Sequence, residues 1–140
     1  MNSQFVTESE TVLIRWSVSE VRSRRDEFFA LVYQHLFAAN PEYRLMFPSD
    51  STKLIEKIST TLLLLTEAVS DLDQVNEILS ELAEMHKDLG VTKAHYAAFA
   101  SALAVGFQET LGSDFGQEHE TAWQKFIISC GDRMLNAASK

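Results

Sequence analysis

Apolar residues recur along this chain at spacings of three and four, the period of helices that bury one face, and nowhere with the period of two that marks a strand. Thr7 and Glu10 form a capping box ahead of Val12, Leu13, Trp16 and Val21, which predicts a first helix. Phe28, Phe29, Val32, Tyr33, Leu36 and Phe37 predict a second, from about Arg24 to Ala39. Asn40 is placed to cap a short helix opening at Pro41, which has no amide hydrogen to leave unsatisfied, and ending near Phe47 and Pro48.

After a polar turn from Ser49 to Thr52, Leu54, Ile58, Leu62, Leu65 and Val69 mark one face of a long helix. The next carries Val75, Ile78, Leu79, Leu82 and Ala83, with Gly90 well placed as its left-handed stop. Thr92 can cap a helix from about Lys93 to Leu111 that stops at Gly112, and a last helix spans roughly Glu118 to Ala138. The expectation is one all-α domain over residues 1–140, with six or seven helices of unequal length and residues 1–6 as a short tail. A short capped turn between long helices suits steep crossings around a pocket better than an up-and-down bundle.

One position breaks the apolar pattern. His86 continues the stripe of Leu79, Leu82 and Ala83, where an apolar side chain is expected. Its ring nitrogens need partners there. A nearby backbone carbonyl would satisfy one of them, and a metal or haem iron is among the few partners that would put the imidazole to use. His35, His95 and His119 fall on polar or helix-end positions and read as surface histidines.

Composition narrows the function classes. The net charge of −8 disfavours nucleic acid or an anionic membrane as a partner, because either needs a dense basic patch. Arg22, Arg24 and Arg25 form the one basic cluster, which reads as a solvated face or as carboxylate partners. Cys130 is the single cysteine, so no intrachain disulfide can form and zinc sites built on cysteine pairs are excluded. Met1 to Glu10 lacks the basic start and apolar run of a signal peptide, and Leu62 to Leu65 is far too short to span a bilayer. The expectation is a soluble cytoplasmic protein. There is no Glu-x-x-His for a di-iron bundle, no glycine-rich phosphate loop and no nucleophile beside a histidine.

Three stretches in order resemble the globin family, and most of all single-domain bacterial globins and the haem domains of flavohaemoglobins. The first is Tyr33 to Phe47, Tyr-x-x-Leu-Phe-Ala-x-x-Pro-Glu followed by a terminal Phe. The second is Leu82 to Tyr96, with His86, then Gly-Val, then His-Tyr, and the third is Trp123 in the last helix. The resemblance covers about Glu8 to Ala138 and implies a globin fold, with six to eight helices around a pocket for haem b (iron protoporphyrin IX).

It also implies roles. His86 is the expected proximal iron ligand, its other nitrogen donating to a carbonyl near Leu82 or Ala83. Phe47 is expected to stack on the haem face, and Leu82, Val91, Tyr96, Phe99 and Leu103 to form much of the proximal and inner wall. Ordinary core packing is the plainer reading of each of these.

On the distal side, ungapped alignment places Leu54, which can donate nothing, where many globins carry a His or Gln; Ile58 lies one turn on. Tyr33 matches the tyrosine that several bacterial and sensor globins point at the ligand, and the alternative is a tyrosine bracing the core through a carbonyl. A phenol donating to the bound gas would contribute on the order of 1 kcal/mol or more. Lys57 is expected to pair with a haem propionate at the pocket mouth, and the sharper alternative has it ligating the iron. Ligation first removes a proton from an ordinary lysine amine, at a cost of roughly 4 to 5 kcal/mol at neutral pH. Lys53 is a weaker candidate for the same role.

Tyr96 matches the tyrosine that flavohaemoglobins pair with a carboxylate of the last helix to strengthen the proximal histidine. Here the carboxylate position falls close to Ala138, with no acid in the last turn, so a weaker push and little peroxidase-like chemistry are expected. The expected function is reversible binding of O2, NO and CO, with nitric oxide dioxygenase activity if an external reductase supplies electrons. A gas or redox sensor that signals to a partner through helix shifts is the alternative, and a haem-free scaffold a third. The sequence leaves the oligomeric state open.

Overall fold

The first helix begins as its capping box dictates. The Thr7 hydroxyl accepts from the Glu10 amide at 3.1 Å, and the Glu10 carboxylate accepts from the Thr7 amide at 2.7 Å. In this computed structural model residues 6–47, 52–69, 71–86 and 91–138 are described, apart from the side chains of Leu54, Leu72, Met85, Ala137 and Ala138. Val6, expected in a tail, is instead 1% exposed and packs in the core, because the residue ahead of the cap can turn inward against the helix it precedes.

Among the described residues the order is α1 (Glu8–Val21), α2 (Arg25–Ala39), α3 (Thr52–Ala68), α4 (Leu72–His86), α5 (Lys93–Leu111) and α6 (Gln117–Ala138), with no strand. Short 3-10 turns at Arg22–Arg24, Pro41–Met46 and Gly112–Asp114 link them. The short helix expected after Asn40 is therefore a 3-10 segment. Asn40 does not cap it: its amide and its side chain both donate backward to the Leu36 carbonyl, at 3.0 and 3.3 Å, so it closes α2 rather than opening the next turn. Gly112 ends α5 with φ +65, a backbone that costs glycine little. Gly90, the expected stop of α4, lies outside the described residues.

The core is aromatic. Phe28 of α2 meets Phe107 of α5 at 4.5 Å, and Phe107 in turn stacks on Phe115 at 5.0 Å and leans on Trp123 of α6 at 5.1 Å. Trp123 and Phe126 are fully buried, and truncating such a ring costs about 3 to 5 kcal/mol. The small residues Ala100, Ala102 and Ala104 let α5 lie close between α2 and α6. Long polar side chains tie the outer helices on. Arg15 of α1 donates to the carbonyls of Thr66 and Glu67 at the end of α3, Lys125 of α6 meets Glu10 at 2.9 Å, and Arg133 of α6 donates to Asn76 of α4 at 2.9 Å. No helix among the described residues is long and apolar enough to cross a membrane.

Candidate functional site

Packing α2, α3 and α4 around α5 and α6 leaves a cavity of about 270 Å³ whose walls are almost wholly apolar. α2 contributes Tyr33 and Leu36, and the turn after it Tyr43, Met46 and Phe47. α3 presents Lys57, Ile58, Thr61, Leu62 and Leu65, three successive turns of one face. Leu82 and His86 come from the last turns of α4, Val91 from just ahead of α5, and His95, Tyr96 and Phe99 from its first turns. The remaining wall is Ile127, Cys130 and Met134 of α6.

His86 is half-buried. Nδ1 is shut away from solvent with no hydrogen-bond partner of good geometry. Burial holds the ring's pKa below the ordinary imidazole value, and the Leu82 carbonyl one turn back offsets part of that. The expected donation from Nδ1 to that carbonyl falls short of a proper bond, although the carbonyl is near enough to act on the ring. The depressed basicity keeps the imidazole neutral, the form that binds a metal. The Tyr96 ring meets His86 edge-on at 6.1 Å, and the Tyr96 hydroxyl donates to Met134 Sδ at 3.8 Å.

Tyr33 is 6% exposed, and burial alone raises its pKa, with no hydrogen bond contributing. Its ring packs edge-on to Phe47 at 5.3 Å and against Phe37 and Phe99 at 5.9 Å each. It is a neutral phenol held by aromatic neighbours, and no described residue takes its hydroxyl proton.

Tyr33, Phe47, Lys57, Ile58, Leu82, His86, Val91, Tyr96 and Phe99 thus share one cavity. Leu103 does not. It is fully buried in the core and absent from the cavity wall, since it lies one further helical turn along α5 from Phe99. The Leu54 side chain and Ala138 lie outside the described side chains. Lys57 is exposed and borders both the cavity and an outer groove lined by Arg25, Lys53, Glu56, Thr60 and Thr61, so it marks a mouth. Lys53 belongs to the groove alone.

Sequence reasoning missed several members. His95, read as a surface histidine, is half-buried in the wall: Nδ1 accepts from the Thr92 amide at 2.8 Å, and the ring meets Tyr43 at 4.7 Å. The ring of Tyr43, in the turn after α2, covers a position that is usually exposed at a helix start. His119 is an end-of-helix histidine as expected, accepting from the Gly116 amide at 3.1 Å, while His35 stands 3.1 Å from a Glu109 carboxylate oxygen. Ile127, Cys130 and Met134 follow the helical spacing of α6, a signal indistinguishable from plain core. Cys130 is free, and burial pushes its thiol up to about 12, so it stays a protonated, unreactive wall residue.

No group of three His, Cys, Asp or Glu among the described residues could chelate a metal ion. With Nδ1 of His95 taken up by the Thr92 amide, the His86 imidazole in this apolar slot fits instead a metal already held by a flat organic ring, which needs one axial ligand and greasy walls. A family model described as Globin matches residues 30–134. This chain belongs to the globin family.

Relatives of this globin include hemoglobin subunit alpha-D of Anas platyrhynchos, 27% identical over 128 residues that cover 87% of this chain and 91% of the relative. The same subunit of Cairina moschata shows identical figures, and that of Chrysemys picta bellii is 24% identical over 126 residues, covering 86% and 89%. These are animal haemoglobin chains. They support the family, and the narrower bacterial likeness rests on the motif residues alone.

Proposed function

We propose that this globin binds haem b and through it reversibly binds O2, with NO and CO as further ligands. The observation that carries the reading is His86, an imidazole with its Nδ1 unpartnered among the described residues, at the wall of an apolar cavity that also holds the buried phenol of Tyr33. Haem supplies the iron at which a diatomic gas binds. His86 gives a ring nitrogen to that iron. Phe47, Ile58, Leu82, Val91 and Phe99 exclude water and hold the flat ring by contact. Tyr33 donates its phenolic proton to the gas, an interaction strengthened by the dry surroundings. Lys57, at the mouth, pairs with a propionate and keeps its charged end in solvent.

Oxidation of nitric oxide belongs to the same reading and requires an electron donor outside the globin domain. The Tyr96 hydroxyl is given to a thioether, not a carboxylate, which fits a proximal ligand without strong push and hence gas binding over peroxide cleavage.

The test is the ultraviolet-visible spectrum of the purified chain with added haem, ferric and ferrous, with and without CO. A Soret band that shifts with CO and is lost in His86→Ala is expected. No Soret band, or one indifferent to His86→Ala, overturns the reading and leaves a haem-free scaffold.

A further inference from the structure

Gly131 sits in the interior of α6, where glycine is a poor choice: it weakens a helix relative to alanine, and no positive φ demands it here. The reason is on the neighbouring helix. A Cβ at Gly131 would stand 2.6 Å from Tyr96 Cγ, 2.7 Å from Cδ2 and 2.9 Å from Cβ. The last of these atoms is anchored to the α5 backbone, so no rotation of the Tyr96 side chain relieves the contact. Tyr96 therefore lies against bare α6 backbone. One turn further along α6, Met134 Sδ accepts its hydroxyl. α6 thus holds the tyrosine at both root and tip, and its ring meets His86 at a near-right angle.

Among the described residues little else holds the plane of His86. It ends α4, and Nδ1 lacks a good hydrogen bond. Among the described residues, Tyr96 is the aromatic ring in contact with it. We propose that Gly131 and Met134 are positioning residues for His86, acting through Tyr96: the missing Cβ and the thioether seat the tyrosine where its ring, near-perpendicular to the imidazole, orients it toward the cofactor. This rests on the haem reading above. The tyrosine acts here by packing, since its hydroxyl is committed to Met134.

The variant is Gly131→Ala, made in the native chain and in a Tyr96→Ala background, each loaded with haem. Two quantities are read: the rate of haem loss to an excess of a haem-scavenging apoprotein, and the iron–histidine stretching band of the ferrous form by resonance Raman. In the native background, Gly131→Ala is expected to speed haem loss about tenfold to a hundredfold and to move the band. In the Tyr96→Ala background it should change neither. Met134→Leu, similar in volume but without a good acceptor, should move the band in the same direction by less. Equal effects of Gly131→Ala in both backgrounds, or none in either, overturn the proposal.

If Gly131→Ala alone does not fold, recovery in the double variant supports the proposal and failure of both overturns it. If the native chain takes up no haem, the functional reading fails on its own. The His86 imidazole proton shifts in the haem-free chain, set by the Tyr96 ring current, then decide the same comparison: moved by Gly131→Ala only when Tyr96 is present, or not.

Discussion

The amide of Thr92 donates to Nδ1 of His95 at 2.8 Å, so one imidazole both caps α5 and lines the cavity. Because Nδ1 accepts, the proton of the neutral ring sits on Nε2, and the Thr92 hydroxyl at 3.2 Å donates to Nδ1 as well. His95→Ala removes the cap and should cost about 1 kcal/mol, read as a lower urea midpoint at unchanged slope. His95→Glu, which restores the acceptor of a capping box, should recover most of that stability.

Tyr33→Phe removes a buried phenolic hydroxyl from the cavity wall and keeps the aromatic contacts with Phe37, Phe47 and Phe99. Losing a charge-assisted hydrogen bond of about 1.5 kcal/mol should speed O2 dissociation roughly tenfold, with CO affected less because it carries less charge. Stopped-flow release rates for the two gases check this, and an unchanged O2 rate would return Tyr33 to plain core packing.

Lys57→Ala distinguishes the two roles of the lysine at the mouth. Pairing with a propionate from an exposed position is worth about 0 to 1 kcal/mol, so haem loss should quicken only a few-fold, the effect should shrink in high salt, and the visible bands should not change. Ligation predicts another spectrum: two sharp ferrous bands in the native protein, collapsing to one broad band in the variant.

The His86 ring has a linked effect on stability. Burial lowers its pKa from the ordinary 6.5, partly offset by the Leu82 carbonyl, so below that value the unfolded chain takes up a proton that the folded chain resists. The stability tied to the neutral ring is complete above the ordinary value and is lost as pH falls through the lower folded one. In the haem-free chain, His86→Leu should flatten the fall of stability with acid in that window, measured by urea titration at several pH values. In the loaded chain the same acid range should promote haem release, because protons compete with iron for the ring.

Much of this was legible beforehand where the governing physics is local. The Thr7 and Glu10 cap and the span from Lys93 to Gly112 follow from neighbours three or four residues apart. Asn40 was misread because its side chain can bond forward or backward, and the extended backbone at that residue, φ −138, settled on the Leu36 carbonyl. Leu103 and Phe99 share one apolar face, and periodicity cannot say where along that face the cavity ends and solid core begins. His95 was misplaced for a related reason: the first turn of a helix is usually wet, but here the turn at Tyr43 covers it.

By itself the sequence determined the helical class, the order and approximate limits of the helices, and the presence of one imidazole on an apolar stripe, because each depends on spacing within a single helix. Its motif residues also sufficed to point to the globin family. Only the tertiary structure decided how far each helix is rotated about its axis and which distant side chains meet. Those contacts brought Cys130 and Met134 to the wall behind Tyr96, set Tyr96 on the bare backbone of Gly131, and left Leu103 in the core. Close packing fixes such relationships across thirty or more residues of chain, at distances of a few ångströms that no periodic pattern encodes.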